Sequence, residues 1–88
     1  MNGAQAIVFG HNPNQVYHAF RYTDALGLDQ RDVIDAIIAD LQPNLPLPVP
    51  PPDNAPFVGS VIVNGILLSY HAYPISEVLV NVGSITTP

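Results

Sequence analysis

The 88-residue sequence contains no cysteine and only two cationic side chains, Arg21 and Arg31. The absence of cysteine excludes disulfides and thiolate metal sites, and it leaves the redox compartment open. No apolar run approaches the ~18 residues that a helix needs to cross a bilayer, so no membrane partner is expected. Residues 1–5 carry neither a basic region nor an apolar core, so no signal peptide is expected either.

The formal net charge is −5. A protein that binds nucleic acid without the help of a partner normally presents a basic surface patch. Two cationic side chains are too few to form one. Five of the seven acidic residues fall in one stretch: Asp24, Asp29, Asp32, Asp35 and Asp40. One side of the protein should therefore be acidic. It is either a solvated helix face or a docking surface for a basic partner.

Residues 12–42 predict two amphipathic helices. Asn12 and Pro13 suit the N-cap and the first helical position, and Gly27 suits a left-handed C-cap. Asp29 is the expected N-cap of the second helix. Both helices show an apolar stripe at helical spacing, formed by Val16, Ala19, Phe20, Thr23 and Leu26 in the first and by Val33, Ile34, Ile37, Ile38 and Leu41 in the second.

Residues 43–56 hold seven of the ten prolines. Proline excludes a helix or a central strand there, and polyproline II is predicted for residues 45–50. The segment is either a rigid crossover between the two halves of the domain or a ligand for an aromatic groove of the SH3 type.

Residues 57–85 predict three antiparallel strands. The first is Phe57–Val63, and Asn64-Gly65 is a strong signal for a type I′ hairpin. Residues 66–73 are predicted to form the second strand, antiparallel to the first. Pro74 is expected to interrupt it, and residues 77–85 form the third strand. Strict alternation in that last strand places Ser84 on one face with Val78, Val80 and Val82.

The chain is therefore predicted to be a single α+β domain, residues 1–88, with two N-terminal helices packed on a small antiparallel sheet of three to four strands in a meander. The helical half covers residues 1–42, the proline-rich crossover residues 43–56, and the sheet residues 57–88. The short apolar run at residues 4–9 is expected to be extended.

The outer face of the first helix combines His18, Arg21 and Tyr22 at spacings that bring them together. An imidazole, a guanidinium and hydroxyls from the sheet would suit metal-independent phosphodiester cleavage, which needs a base, an acid and a cation. The candidate catalytic residues are His18, Arg21, Tyr70, His71, Ser84 and Thr86. Structural alternatives remain open: His18 on a plain helix surface, Arg21 paired with Asp24, and Tyr70 in the core.

No metal or cofactor site is predicted, because the sequence has no phosphate-cradling glycine loop and no HExxH or comparable ligand spacing.

Several short runs resemble the C-terminal toxin domains of bacterial polymorphic toxins of the contact-dependent inhibition and Rhs types. They are GHNPNQ at 10–15, HAFR at 18–21 with TD at 23–24, GLD at 27–29, VNVG at 80–83 and IT at 85–86. Together they cover most of the chain outside the proline-rich segment. More specifically, the sequence is similar to the compact ribonucleases of the barnase/EndoU/colicin/RelE-like group.

This resemblance implies a metal-independent ribonuclease, a toxin that cleaves tRNA and is neutralised by a cognate immunity protein. It implies a secreted or delivered effector that acts in the cytoplasm of a target cell. His18 and Arg21 would be the catalytic base or phosphate binder, and Ser84 or Thr86 would supply the hydroxyl of the last strand. A host protein that delivers the RNA would offset the acidic charge.

Two other hypotheses come from the residues themselves. The acidic helix face and the apolar sheet would suit a non-enzymatic protein-interaction module. The edge of a short apolar sheet could instead pair across a two-fold axis, which would make the chain an oligomerisation domain or a homodimer.

Overall fold

The computed structural model describes residues 6–10, 12–45, 56–76 and 78–88. Predictions for His11, Glu77 and residues 46–55, including polyproline II, lie outside the described residues. The elements in chain order are strand β1 Ala6–Val8, helix α1 Pro13–Ala25, helix α2 Gln30–Leu41, strand β2 Phe57–Val63, strand β3 Ile66–Ser76 and strand β4 Leu79–Thr86. A 3-10 helix, Gln42–Asn44, follows α2, so the prediction that the proline-rich segment contains no helix is wrong at Pro43 and Asn44. Pro43 is tolerated because it lies in the first turn of this helix, where its missing N–H would have no partner.

The helix ends confirm the sequence prediction. The Asn12 side chain accepts a hydrogen bond from the Gln15 amide at 2.9 Å, and Pro13 occupies the first turn of α1. After α1, Gly27 adopts the left-handed region with φ +77°. The Asp29 carboxylate accepts from the two amides that follow the start of α2, at 2.8 and 3.4 Å. Each cap satisfies amides that the helix itself cannot pair.

The sheet has four strands in the order β1-β4-β3-β2. Strands β2, β3 and β4 form the predicted antiparallel meander. Asn64 and Gly65 join β2 to β3 with φ 50° and 79°, as a type I′ turn requires. The extended run before α1 contributes β1, which pairs parallel to β4. The sheet is therefore mixed rather than wholly antiparallel, within an α+β fold whose helices precede the meander.

Two details of the last strands differ from the prediction. Strand β3 does not stop at Pro74 but continues to Ser76, with a register shift between these two residues. A second register shift lies in β4, opposite His71 and Ala72 of β3. His71 pairs with Ser84 and Ala72 with Val82, so β4 has one extra residue between these two pairs. The extra residue turns Ile85 into the core and Ser84 to the other face, so the predicted grouping of Ser84 with Val80 and Val82 is wrong.

The core lies between the helices and one face of the sheet. Helix α1 packs on β4, and α2 packs on β2. The largest fully buried side chains are Tyr70, Phe20, Ile37, Leu68, Ile85, Val33, Val80 and Val82. Leu26, predicted in the apolar stripe of α1, is exposed because it follows the last helical turn as the C-cap. Within the described residues, neither helix has the length and apolarity that a bilayer-spanning segment needs.

Candidate functional site

Tyr70 lies in the core and links the sheet to α2. Its hydroxyl donates to Asp40 Oδ2 at 2.6 Å, and its side chain is 2% exposed. The ring passes over Gly59, where an added Cβ would lie 2.5 Å from Cζ of the tyrosine. Burial, and then the hydrogen bond and the charge of Asp40, raise the pKa of Tyr70 above its ordinary range. This predicted catalytic residue therefore shares no surface with His18 and serves as a packing residue.

The exposed side of α1 carries the group predicted from helical spacing. His18, Arg21 and Tyr22 are all exposed there, because the opposite side of the helix is buried against β4. The Tyr22 hydroxyl shares a hydrogen bond with Thr87 Oγ1 at 2.9 Å. Thr87, and not the predicted Thr86, is therefore the residue whose hydroxyl contacts α1. We call His18, Arg21, Tyr22 and Thr87 the helix-1 cluster.

The sequence does not predict the contact between Thr87 and Tyr22. Thr86 and Thr87 are adjacent and chemically identical, so composition and motif carry no signal that separates them. The face of the sheet on which each threonine lies depends on the register shift in β4 before Ile85. This shift reverses the alternation of side chains between the two faces at the end of the strand.

Asp24 makes its described contacts with α2 and not with Arg21. Gln30 Nε2 donates to both carboxylate oxygens of Asp24, at 3.2 and 3.1 Å, and so connects the end of α1 to the start of α2.

A shallow cavity of about 570 Å³ lies beside α1. It is lined by Gly10, Asn12, Pro13, Val16, Tyr17, Asp24 and Gln30. His18 and Arg21 are not among its lining residues.

His71, Ser84 and Thr86 lie on the face of the sheet that points away from both helices. Tyr70 points to the helices, so the next residue, His71, points to the other face, where it is paired with Ser84. Ser69 is paired with Thr86 in the same way. We call this surface the open face. Its members are Val58, Ser60, Ile62, Leu67, Ser69, His71, Tyr73, Ser84 and Thr86.

The six predicted catalytic residues therefore fall into three places. His18 and Arg21 are on the outer side of α1, and Tyr70 is in the core. His71, Ser84 and Thr86 are together on the open face. The sheet and the core separate the last group from the first, so the imidazole of His18 and the strand hydroxyls of Ser84 and Thr86 do not converge.

The open face combines high apolar exposure with a lack of charge. Val58 is 64% exposed, Ile62 69%, Leu67 47% and Tyr73 40%. Ile62 and Leu67 are cross-strand neighbours, and the ring of Tyr73 lies against Gly83. No element in the described part of the chain covers this face, since both helices pack on the other one. None of the described residues on the face is acidic, and both arginines of the sequence are on helices.

Within the described ranges, no group of three histidine or acidic side chains is close enough to hold a metal ion. The chain matches no known protein family, no curated protein and no solved structure. The surfaces themselves, the helix-1 cluster and the open face, are therefore the basis for a functional proposal.

Proposed function

We propose that this chain is a non-enzymatic protein-interaction module that contacts its partner through the open face and the adjoining edge of β2. The observation that carries this proposal is the exposure of Val58, Ile62, Leu67 and Tyr73 on one uncharged sheet face. Apolar side chains grouped on one exposed face of a folded domain favour association, because their contact with water is unfavourable.

The distribution of charge supports the same surface. The exposed acids Asp29, Asp32 and Asp35 belong to α2 or its cap, on the side of the sheet opposite the open face. A partner that covers the open face would bury apolar side chains and serine or threonine hydroxyls without removing a charge from water. Removing an unpaired charge from water carries a large penalty at an interface.

A position-specific photo-crosslinker tests this proposal. The probe p-benzoylphenylalanine replaces Leu67 on the open face or, as a control, Tyr17, which is also exposed but lies on α1. In the cells from which the sequence comes, the Leu67 probe should form an adduct that the Tyr17 probe does not form. The adduct is identified by mass spectrometry, and the interaction is reconstituted with purified components.

In the reconstituted complex, Leu67→Glu should weaken binding by at least ~10-fold, because it places a charge in an apolar contact. Tyr17→Glu adds the same charge on α1 and should leave the affinity within about twofold. Adducts from the Tyr17 probe alone, or equal effects of the two substitutions, would contradict the proposal.

A second candidate function is the metal-independent ribonuclease of the toxin type, neutralised by an immunity protein. The observation in its favour is the hydrogen bond between the hydroxyls of Tyr22 and Thr87, because Tyr22 lies one helical turn after His18 on α1. His18 would act as the base and Arg21 as the cation that stabilises the phosphorane. The open face is less suited to this chemistry, because neither Arg21 nor Arg31 lies on it.

The ribonuclease hypothesis is tested with total RNA in EDTA, with and without a cell extract. If it is correct, discrete tRNA fragments appear in EDTA, and His18→Ala lowers their rate of formation by ~10² or more. His71→Ala is the matched control, since it removes the same side chain from the open face. Fragments that need the extract would indicate a host protein that delivers the RNA. No cleavage, or equal cleavage by parent and His18→Ala, contradicts a role for His18.

A further inference from the structure

We propose that β2 pairs with β2 of a second copy of this chain, antiparallel about a two-fold axis at Ser60, to form one continuous eight-stranded sheet from two four-stranded sheets. This inference rests on the proposed interaction function: it assigns the β2 edge to a second copy of the chain, and the open face remains available to the partner that the Leu67 photo-crosslinker tests. The edge of β2 borders the open face, so pairing would join the two open faces into one surface.

Strand β2 is an edge strand of the sheet. Among the described strands it pairs only with β3 and lies at the end of the sheet. The opposite edge, β1, has only three residues, whereas β2 has seven. An edge strand presents a row of unpaired backbone donors and acceptors that can template another strand.

The register identifies which backbone groups point outward. Val63 and Ile66 flank the two-residue turn and therefore form a hydrogen-bonded pair. Hydrogen-bonded and non-hydrogen-bonded pairs alternate along an antiparallel ladder, so the N–H and C=O groups of Val58, Ser60 and Ile62 point away from β3. These three residues also carry their side chains on the open face.

The outer edge of β2 is complementary to itself. An antiparallel pair centred on Ser60 places Val58 opposite Ile62 of the partner subunit, and Ile62 opposite Val58 of the partner subunit. The two serines meet at the axis. Both apolar residues are more than 60% exposed in the single chain. Apolar and β-branched pairs across strands stabilise a sheet. On the helix-facing side, Gly59, covered by the Tyr70 ring, faces Val61 of the partner subunit.

Charged side chains, proline and bulges within a strand keep many edge strands unpaired, and β2 has none of these three. The strand FVGSVIV has no charge and no proline, and its pairing with β3 runs without a register shift. Like charges therefore do not meet across the axis. Because each copy carries a net charge of −5, added salt should strengthen the association.

The mass of the full chain in solution tests the proposal by sedimentation velocity over about 1 μM to about 1 mM, where small interfaces associate. We expect a concentration-dependent shift from 9.4 kDa towards twice that value. Ser60→Glu places two carboxylates opposite each other at the axis and should raise the dimer dissociation constant by at least ~10-fold. Far-ultraviolet circular dichroism verifies that the variant is folded.

Ser69→Glu is the matched control, because Ser69 is the cross-strand neighbour of Ser60 on the open face but lies away from the axis. It should leave the dissociation constant within about threefold. A mixture of Ser60→Glu with Ser60→Lys should restore the dimer, because opposite charges then meet at the axis. This rescue shows that the loss in Ser60→Glu alone is electrostatic and not a folding defect.

Three results would overturn the inference: a monomer at every concentration and salt level, a dimer that resists Ser60→Glu, or a dimer that Ser69→Glu weakens equally. The last result would indicate that the open faces pack against each other. A monomer whose Leu67 photo-crosslinker captures a different, reconstituted partner would remove the inference and leave the proposed function standing. A monomer with no such partner would remove both.

Discussion

Replacing Gly59 by alanine tests the packing that joins β2, β3 and α2. The Cβ of an alanine at this position would lie 2.5 Å from Cζ and 2.7 Å from Cε2 of Tyr70, and in contact with the tyrosine hydroxyl. Contacts below 3.0 Å require the neighbour to move. Tyr70 has little room to move, because it is buried and its hydroxyl is bonded to Asp40. The substitution should therefore displace the ring and weaken that hydrogen bond.

The size of the effect follows from three contributions. Overpacking a core costs about 1–3 kcal/mol. Weakening a hydrogen bond to a charged group costs about 1.5–3 kcal/mol if the bond is lost. The lower entropy of the unfolded alanine chain offsets about 0.4–1 kcal/mol, because Gly59 is not in the left-handed region that alanine avoids. We expect a net loss of about 2–4 kcal/mol, or roughly 10–25 °C in Tm for a domain of this size.

Thermal and urea unfolding at one fixed protein concentration measure this loss. Gly83→Ala is the matched control: its Cβ would lie 3.2 Å from Cε2 of Tyr73, a ring that is 40% exposed and free to shift outward. We expect Gly83→Ala to change the free energy of unfolding by less than about 1 kcal/mol. A Gly59→Ala protein within about 0.5 kcal/mol of the parent, or an equal loss in Gly83→Ala, would refute the reasoning.

Two further predictions concern single hydrogen-bonding groups. Tyr70→Phe should lower the free energy of unfolding by about 1–3 kcal/mol near pH 8, because Asp40 loses its donor. Since the folded-state pKa of Tyr70 is raised above the ordinary tyrosine value of 10.0, the stability from its hydroxyl is present below that pH and is lost as the pH rises. The difference between parent and variant in urea should therefore shrink towards about pH 11, and a constant difference would contradict the assigned pKa direction. Asp29→Ala should cost about 1 kcal/mol in the same assay, because the Asp29 side chain caps α2, whereas the exposed Asp35→Ala in mid-helix should cost less than about 0.5 kcal/mol. Equal losses in these two variants would argue against the cap.

The two candidate functions make different use of the molecule. An interaction module uses the open face and the β2 edge, and its chemistry is the burial of apolar side chains. A ribonuclease uses the helix-1 cluster on the other side of the sheet. Because the sheet separates these surfaces, His18→Ala and Ser60→Glu act independently, and each hypothesis can fail without affecting the other.

The sequence by itself determined the features that depend on a few neighbouring residues. Asn12 and Asp29 mark the helix starts because a cap is decided by a side chain and the amides two or three residues later. Asn64-Gly65 marks the hairpin because a type I′ turn needs two residues that accept positive φ. The order of helices before the meander followed from these local signals and from periodicity.

Only the tertiary structure decided how those elements share surfaces. The parallel pairing of β1 with β4 joins residues more than 70 positions apart, as the Gly10 amide does when it donates to Asn81. The irregularity in β4 reversed the facing of Ser84 and brought the end of the chain, Thr87, to α1. Strict alternation cannot anticipate an extra residue in a strand, because such a bulge is set by the fit of the whole strand to its partner and to the core. The same alternation along β3 separates Tyr70 from His71, and the packing of both helices on the Tyr70 side leaves the open face uncovered by any described element.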